Sequence, residues 1–381
     1  MVEIQLARLP WLGRSRWYIA LWIAAVCAGA IATPATAGAL PHVSQREAIA
    51  QTASPPVKTW ATARLVRTIV NPGLVTGSSN VIAVSPDNRM VASAMATNPQ
   101  EYADAVRVWE IDTKRVLYTL LGHRPFVSAV AFSPNGQLLA TGEYNYDIRM
   151  LVIRLWDANT GQLQRTLQRS IQPQYRNGAF YHNAILTFNP DGRTLYSTAT
   201  TPIIQEWDVN TGRLRRSIVG HREVIRALRV SPDGRTLAST HIDGKISWLD
   251  LATGQVMQTL TGGLDGFELA FSLDGEALTG TFTLTRDPET QLEETRQITT
   301  WNTRTGEITH SIGGLAGRDW LLLSPDLQTF AAADHQRPIR LYDLHTGQQI
   351  RAFRGASTNI AFSPDGQLFV AATETGIKIW R

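Results

Sequence analysis

An apolar strand running into Ser-Pro-Asp-Gly, or a close variant of it, comes round seven times in this chain. The copies are VSPDN from Val84, FSPNG from Phe132, FNPDG from Phe188, VSPDG from Val230, FSLDG from Phe271, LSPDL from Leu323 and FSPDG from Phe362. From Pro86 to Pro364 they recur about every 46 residues, a period that marks a repeat architecture. A second phrase follows each copy: VRVWE ending at Glu110, IRLWD at Asp157, IQEWD at Asp208, ISWLD at Asp250, ITTWN at Asn302, IRLYD at Asp343 and IKIW at Trp380. A third, Thr-Gly and a short alternating strand, begins at Thr160, Thr211, Thr253, Thr305 and Thr346.

Each repeat reads as four strands. Strand a ends at the turn phrase, as VSAVAF does at Phe132; strand b follows as QLLAT over 137–141. Strand c is the phrase ending in Trp-Asp, and strand d follows Thr-Gly, as QLQRTL over 162–167. The turn has a mechanism: proline presets φ, aspartate bonds back to the backbone and glycine accepts positive φ. Four-stranded units at this period predict an all-β fold, a seven-bladed β-propeller of four-stranded antiparallel blades. The last repeat stops at Trp380-Arg381, after strand c. Its missing strand is found at the other end, where 62–69 matches 160–167 nearly position for position. The N-terminal strand is therefore predicted to complete the last blade, closing the ring and removing an exposed edge.

With these phrases the chain resembles the WD-repeat family, in an exported bacterial form. The resemblance covers 61–381 and implies a platform for protein–protein interaction, rarely an enzyme. It implies structural roles for Trp109, Trp156, Trp207, Trp301 and Trp380, and for the histidines of the family's Gly-His pair, His123 and His221. That pair is lost elsewhere, as Gly262-Gly263, Gly313-Gly314 and Gly355-Ala356. The family links its histidine to an Asp between strands b and c, a Ser or Thr, and the Trp. Here Asp243 is placed to pair with His221, but Leu249 stands where the Trp belongs, so the blades are expected to lean on apolar packing. No catalytic residue is carried over, and no cofactor or metal is expected.

The 381 residues are 43% hydrophobic and 18% charged, enough for a large core. Four lysines leave 32 of the 36 cations as arginine, and the net charge of +4 argues against a nucleic-acid binder. Arg8, Arg14 and Arg16 precede an uncharged apolar run, Trp17 to Ile31, and then the small residues of Ala35-Thr36-Ala37. This reads as a signal peptide, 1–37, followed by a flexible linker, 38–60, and the propeller, 61–381. The expected location is periplasmic or extracellular, the alternative being a membrane anchor formed by residues 17–33. Cleavage would remove Cys27, the only cysteine, so the mature chain would need no disulfide. A monomer is expected.

Few residues suggest chemistry. No phosphate loop or nucleophile motif appears. His182, His241 and His335 fall in loops at one end of the propeller without metal-ligand spacing. The alternative to a scaffold is an envelope enzyme with a small-molecule or metal site at the channel mouth, where His182, Arg226, Asp265, Asp319 and Asn359 are expected. Asp287, Glu289, Glu293 and Glu294 read as a solvated acidic loop. Arg213, Arg215, Arg216, Arg222, Arg226, Arg229 and Arg235 crowd one repeat, but strand alternation scatters them over both faces.

Loop length carries the functional signal. The a–b and c–d turns share one face, the bottom, and are uniform. Every sizeable insertion falls in the connections of the opposite, top face: Met95 to Ala105, Glu143 to Leu151, Arg169 to Asn183, and Thr285 to Gln297. The first three carry Tyr102, Tyr144, Tyr146, Tyr175, Phe180 and Tyr181, with Arg149 and Arg176. Tyr and Arg dominate binding hot spots, and loops on a rigid scaffold collect binding residues. These eight residues are the candidate contacts for a protein partner.

Overall fold

The computed structural model describes residues 60–70, 81–95, 105–123, 127–145, 149–170, 184–199, 201–221, 223–286, 294–316, 320–334, 337–355, 357, 359–373 and 375–381. Within them lie seven four-stranded antiparallel sheets, one per repeat. Blades 1 to 6 span 82–120, 127–170, 184–218, 225–261, 265–316 and 320–353. Blade 7 takes strands a to c from 359–380 and its strand d from Leu65–Ile69. That strand pairs antiparallel with Gly376–Trp380, with Leu65 opposite Trp380 and Ile69 opposite Ile377. Arg64 and Arg381 exchange backbone hydrogen bonds of 2.8 and 3.0 Å just beyond it. The predicted architecture and ring closure are both present.

The bottom turns form as their chemistry demands. In blade 2 the Ser133 hydroxyl donates to Asn135 Oδ1 at 2.7 Å and accepts from the Leu138 amide at 2.9 Å. Asn135 Oδ1 also accepts from the Gln137 amide, and Gly136 takes φ 70°. Asp87, Asp233, Asp274, Asp326 and Asp365 repeat the arrangement with their own serines. In blade 6 the positive-φ position is Leu327, at 52°, where packing against the 5–6 interface buries the side chain. The aspartate closing strand c caps the next turn: Asp157 Oδ1 accepts from the Asn159 and Thr160 amides and the Thr160 hydroxyl. Those bonds hold its carboxyl below the usual range, the Thr160 amide foremost.

Each blade packs on the next through seven apolar clusters. Where it directly precedes the last residue of strand c, the tryptophan faces the preceding blade: Trp109 against Val370 and Ile379, Trp156 against Val106 and Val108, Trp207 against Leu155 and Leu167. Trp380 does the same against Leu341 and Phe353. Blade 4 breaks the rule. Its Trp248 stands one residue early, so the period of two turns it toward blade 5. There it joins Trp301, while Leu249 takes its place in the 3–4 interface, beside Ile204 and Ile218 of blade 3 and Ile225 and Leu237 of its own blade. The indole nitrogen of Trp248 is buried without a partner among the described residues.

Two top-face insertions are not loops. In blade 2, strand b runs Leu138–Asn145 and strand c Met150–Asp157, with Glu143, Tyr144 and Asn145 paired to Val152, Leu151 and Met150. In blade 5 the strands run Ala277–Arg286 and Glu294–Asn302, with Arg286 opposite Glu294. Strand d lengthens to match, as Leu163–Ser170 and Ile308–Ala316. Blades 2 and 5 thus stand above the top rim as raised sheets.

The chain enters the ring through Trp60, which is 1% exposed and packs its ring 5.6 Å from Phe362 and 6.2 Å from Phe369. Arg351 of blade 6 donates to the Ala61 carbonyl beside it. Trp60→Ala is expected to cost about 3–5 kcal/mol, the range for truncating a buried aromatic, and deletion of 60–70 more still. Deletion of 38–55 should be silent. Urea midpoints at unchanged slope test this; a 60–70 deletion that unfolds with the parent chain would show that the strand does not hold the ring.

Candidate interaction surface

The structural motif survives in blade 2. His123 Nε2 lies 2.9 Å from Thr141 Oγ1, which accepts from Trp156 Nε1 at 2.9 Å. Blade 3 keeps the last link, Trp207 Nε1 donating to Ser197 Oγ at 2.8 Å. In blade 4 the expected pairing of Asp243 with His221 does not occur. Asp243 accepts from the Lys245 amide at 3.2 Å and from Lys245 Nζ at 2.5 Å. His241 Nε2 lies 3.0 Å from the Ser239 hydroxyl, and its ring stands edge-on to that of His221, ring centres 5.0 Å apart. Among the described residues neither ring nitrogen of His221 has a hydrogen-bond partner. Burial pushes both imidazoles down to about 4; for His221 the neighbouring His241 adds to the effect, and for His241 Asp243 opposes it.

The crowded arginines are ties between and within blades. Arg215 pairs with Asp208, and Arg216 holds Glu206 at 2.6 Å while donating to the Leu251 and Ala252 carbonyls of blade 4. Arg226 reaches Asp265 of blade 5 at 3.5 Å, and Arg229 pairs with Glu268. Arg213 and Arg235 stay exposed; Arg222 lies outside the described residues. An isolated basic patch does not form, because the acids lie on the facing strands.

Of the eight candidate contacts, Tyr102, Tyr146, Tyr175, Arg176, Phe180 and Tyr181 lie outside the described residues. Arg149 is exposed in the turn capping the blade 2 sheet, at φ 56°. Tyr144 must be corrected. It is 8% exposed and packs with Leu151, Ala184 and Leu186, because ladder pairing turns its ring into the 2–3 interface. Of the residues expected at the channel mouth, Arg226 and Asp265 meet, whereas Asn359 is buried in blade 7, its backbone N–H donating to Ser357 Oγ. His182, Asp319 and His335 lie outside the described residues, and His241 is taken up by blade 4. No group of three or more His, Cys, Asp or Glu able to hold a metal occurs among the described residues.

Sequence reasoning overlooked the channel wall. Strand a of all seven blades encloses a channel of about 990 Å³. Its lining is apolar apart from Arg226, Arg229, Glu268 and Ser128. Trp320 faces it at 37% exposure, and Phe267 beside it lies under the Arg296 guanidinium, 4.4 Å from the ring centre. The phrase that carries the repeat also held this signal, since the residue before each Ser-Pro-Asp-Gly is apolar in every blade.

Three stretches, 114–150, 212–250 and 336–381, match the family model described as WD domain, G-beta repeat. The chain thus carries WD40 repeats on a propeller whose remaining blades have the same strand order. It is similar to Autophagy-related protein 16 of Arabidopsis thaliana, 26% identical over 39% of this chain and 26% of that protein. It is similar also to human Apoptotic protease-activating factor 1, 32% identical over 33% of this chain and 9% of that protein. Nuclear distribution protein PAC1 of Arthroderma otae is 31% identical over 28% of this chain and 22% of that protein. The matched segments span at most about a quarter of these relatives.

The buried histidines have a pH consequence. Each is held neutral in the fold, so the unfolded chain binds more protons below its ordinary value of 6.5. Their stabilisation is complete above about 6.5 and is lost as pH falls toward 4, by roughly 2–5 kcal/mol for the pair. A His221→Leu, His241→Gln variant should have a flatter stability profile between these limits. Urea midpoints across that window check it, and a variant profile parallel to the parent's would refute it.

Proposed function

We propose that the protein is a non-catalytic scaffold that holds a protein partner on its top face. One observation carries this reading: chain length varies on that face and is uniform on the other. Strands b, c and d of blade 2 have 8 residues each, and those of blade 5 have 10, 9 and 9. Strand b has 5 or 6 in the remaining blades. Elaboration beyond what the ring needs, on a face that also carries the aromatic connections, is how a rigid scaffold builds a binding surface. The three similar proteins bear names of differing roles, which suits a shared platform better than a shared reaction. An enzyme at the channel mouth is the second reading, resting on Arg226 and Asp265 alone.

The protein acts outside the cytoplasm in this reading. Its support is the basic, apolar and small-residue order of 1–37, with cleavage after Ala37. It works as a monomer, with no cofactor and no nucleic acid.

A Tyr146→Ala, Tyr175→Ala, Tyr181→Ala variant should lose its partner, since aromatic hot spots are worth about 2 kcal/mol or more each, some thirtyfold in affinity. Its melting temperature should hold. Bottom changes Gln137→Ala and Gln162→Ala should leave binding intact. Capture from native envelope fractions distinguishes these outcomes, and loss of the partner only in the bottom variant would place the working face on the other side. N-terminal sequencing that begins at Met1 or Val2 on membrane-bound protein would replace export with anchoring.

A further inference from the structure

The bottom of the channel opens through an apolar lip. Phe132, Phe188, Phe271 and Phe362 end strand a in four blades and line the lower channel. Around them stand the prolines of the a–b turns, Pro134, Pro190, Pro232, Pro325 and Pro364. In blade 5 the proline is replaced by Leu273, whose side chain is 66% exposed at the lip. Two ion pairs lie farther in, Arg226 with Asp265 and Arg229 with Glu268, and each cancels its own charge; burial raises the Glu268 pKa and Arg229 opposes the rise. An apolar opening of this kind on an otherwise polar surface marks an interaction site.

Outside the lip runs a collar of carboxylates, one in each turn but that of blade 2, which has Asn135: Asp87, Asp191, Asp233, Asp274, Asp326 and Asp365. All are exposed except Asp326, which is half-buried. Hydrogen bonds from Ser231 and Ser272 hold Asp233 and Asp274 below the usual carboxylate range, so the collar keeps its charge at neutral pH. Arg89, Arg193 and Arg235 lie two residues after an aspartate, against which Glu276 adds an acid in blade 5. The collar remains negative on balance. An apolar centre ringed by charge has the anatomy of an interface, and the sign of the ring selects the partner.

We propose that this bottom mouth is a second docking site, which accepts a basic peptide segment carrying a short apolar tip. The tip enters the lip between Leu273 and the phenylalanines, and its flanking Lys or Arg residues meet the aspartate collar. The site is independent of the top face, on the far side of the ring from the raised sheets of blades 2 and 5.

The test uses the full chain and a fluorescein-labelled peptide, Lys-Arg-Leu-Phe-Leu-Arg-Lys, followed by anisotropy at low ionic strength. Saturable binding is expected, weakened by salt, and absent for Glu-Asp-Leu-Phe-Leu-Asp-Glu and for Lys-Arg-Ser-Gly-Ser-Arg-Lys. Asp191→Asn, Asp233→Asn, Asp274→Asn and Asp365→Asn together should weaken it by about tenfold, a modest share from each exposed charge. The turns should survive, because Asn135 already makes the same bonds in blade 2. Leu273→Ser should weaken binding by a similar factor at an exposed position that leaves the fold intact. The Tyr146, Tyr175, Tyr181 variant should bind the peptide as the parent does. The proposal fails if the basic apolar peptide does not saturate, if either control peptide binds as well, or if neither bottom variant weakens binding.

Discussion

Pairing of 65–69 with 376–380 is the constraint on which the rest of the molecule depends. A blade has two faces to bury and cannot do so alone, so a row of blades always leaves two ends open. Closing the row into a ring removes both. The strand that does so comes from the opposite terminus, and its loop-closure entropy grows only with the logarithm of the length enclosed. In return, the 6–7 and 7–1 interfaces form: Trp60 and Ala63 enter the first beside Phe353 and Trp380, and Ile69 enters the second beside Trp109 and Ile377. The N-terminal strand therefore serves two interfaces at once.

Within the ring, one position per blade sets how neighbours fit. Because side chains alternate with a period of two, the tryptophan before the closing aspartate reaches back to the preceding blade in every repeat that has it there. Blade 4 shows the cost of moving it by one. The 4–5 interface receives Trp248 and Trp301, the 3–4 interface receives Leu249, and the polar relay of blade 2 has no counterpart. In its place two neutral histidines lie edge to edge, and Arg216, Arg226 and Arg229 tie blade 4 to both neighbours. Ionic bridging is concentrated around the blade where the apolar key is displaced.

The two faces then differ for a physical reason. The bottom turns are held by local hydrogen bonds that tolerate no change in length, so they vary in residue type alone, as Leu273 does. The described top connections share no single clasp: Thr201 in blade 3, Asp243 in blade 4 and Asp334 in blade 6 each bond a nearby amide in their own way, and in blades 2 and 5 the sheet itself continues upward. A surface that varies by length suits an irregular partner, and a surface that repeats around a ring suits a compact tip at its centre.

Much of this was legible in the residues. Seven turn phrases state the number of blades, Thr-Gly and Trp-Asp place strands c and d, and the match of 62–69 to 160–167 names the closing strand, because all are local patterns or copies of one. Other features were decided only when strands met across the ring. Whether Tyr144 sits on a loop or in a core depends on ladder pairing with Leu151, which the length of the insertion did not reveal. Whether Asp243 serves His221 or Lys245 depends on where His241 stands, and Arg226 and Arg229 are paired because Asp265 and Glu268 belong to the next repeat. The sequence by itself determined the repeat, its strands and its closure, since these rest on periodicity and turn chemistry within about 46 residues. Tertiary structure alone decided burial, pairing and the channel, since these arise between repeats, where strands far apart in the chain share one interface.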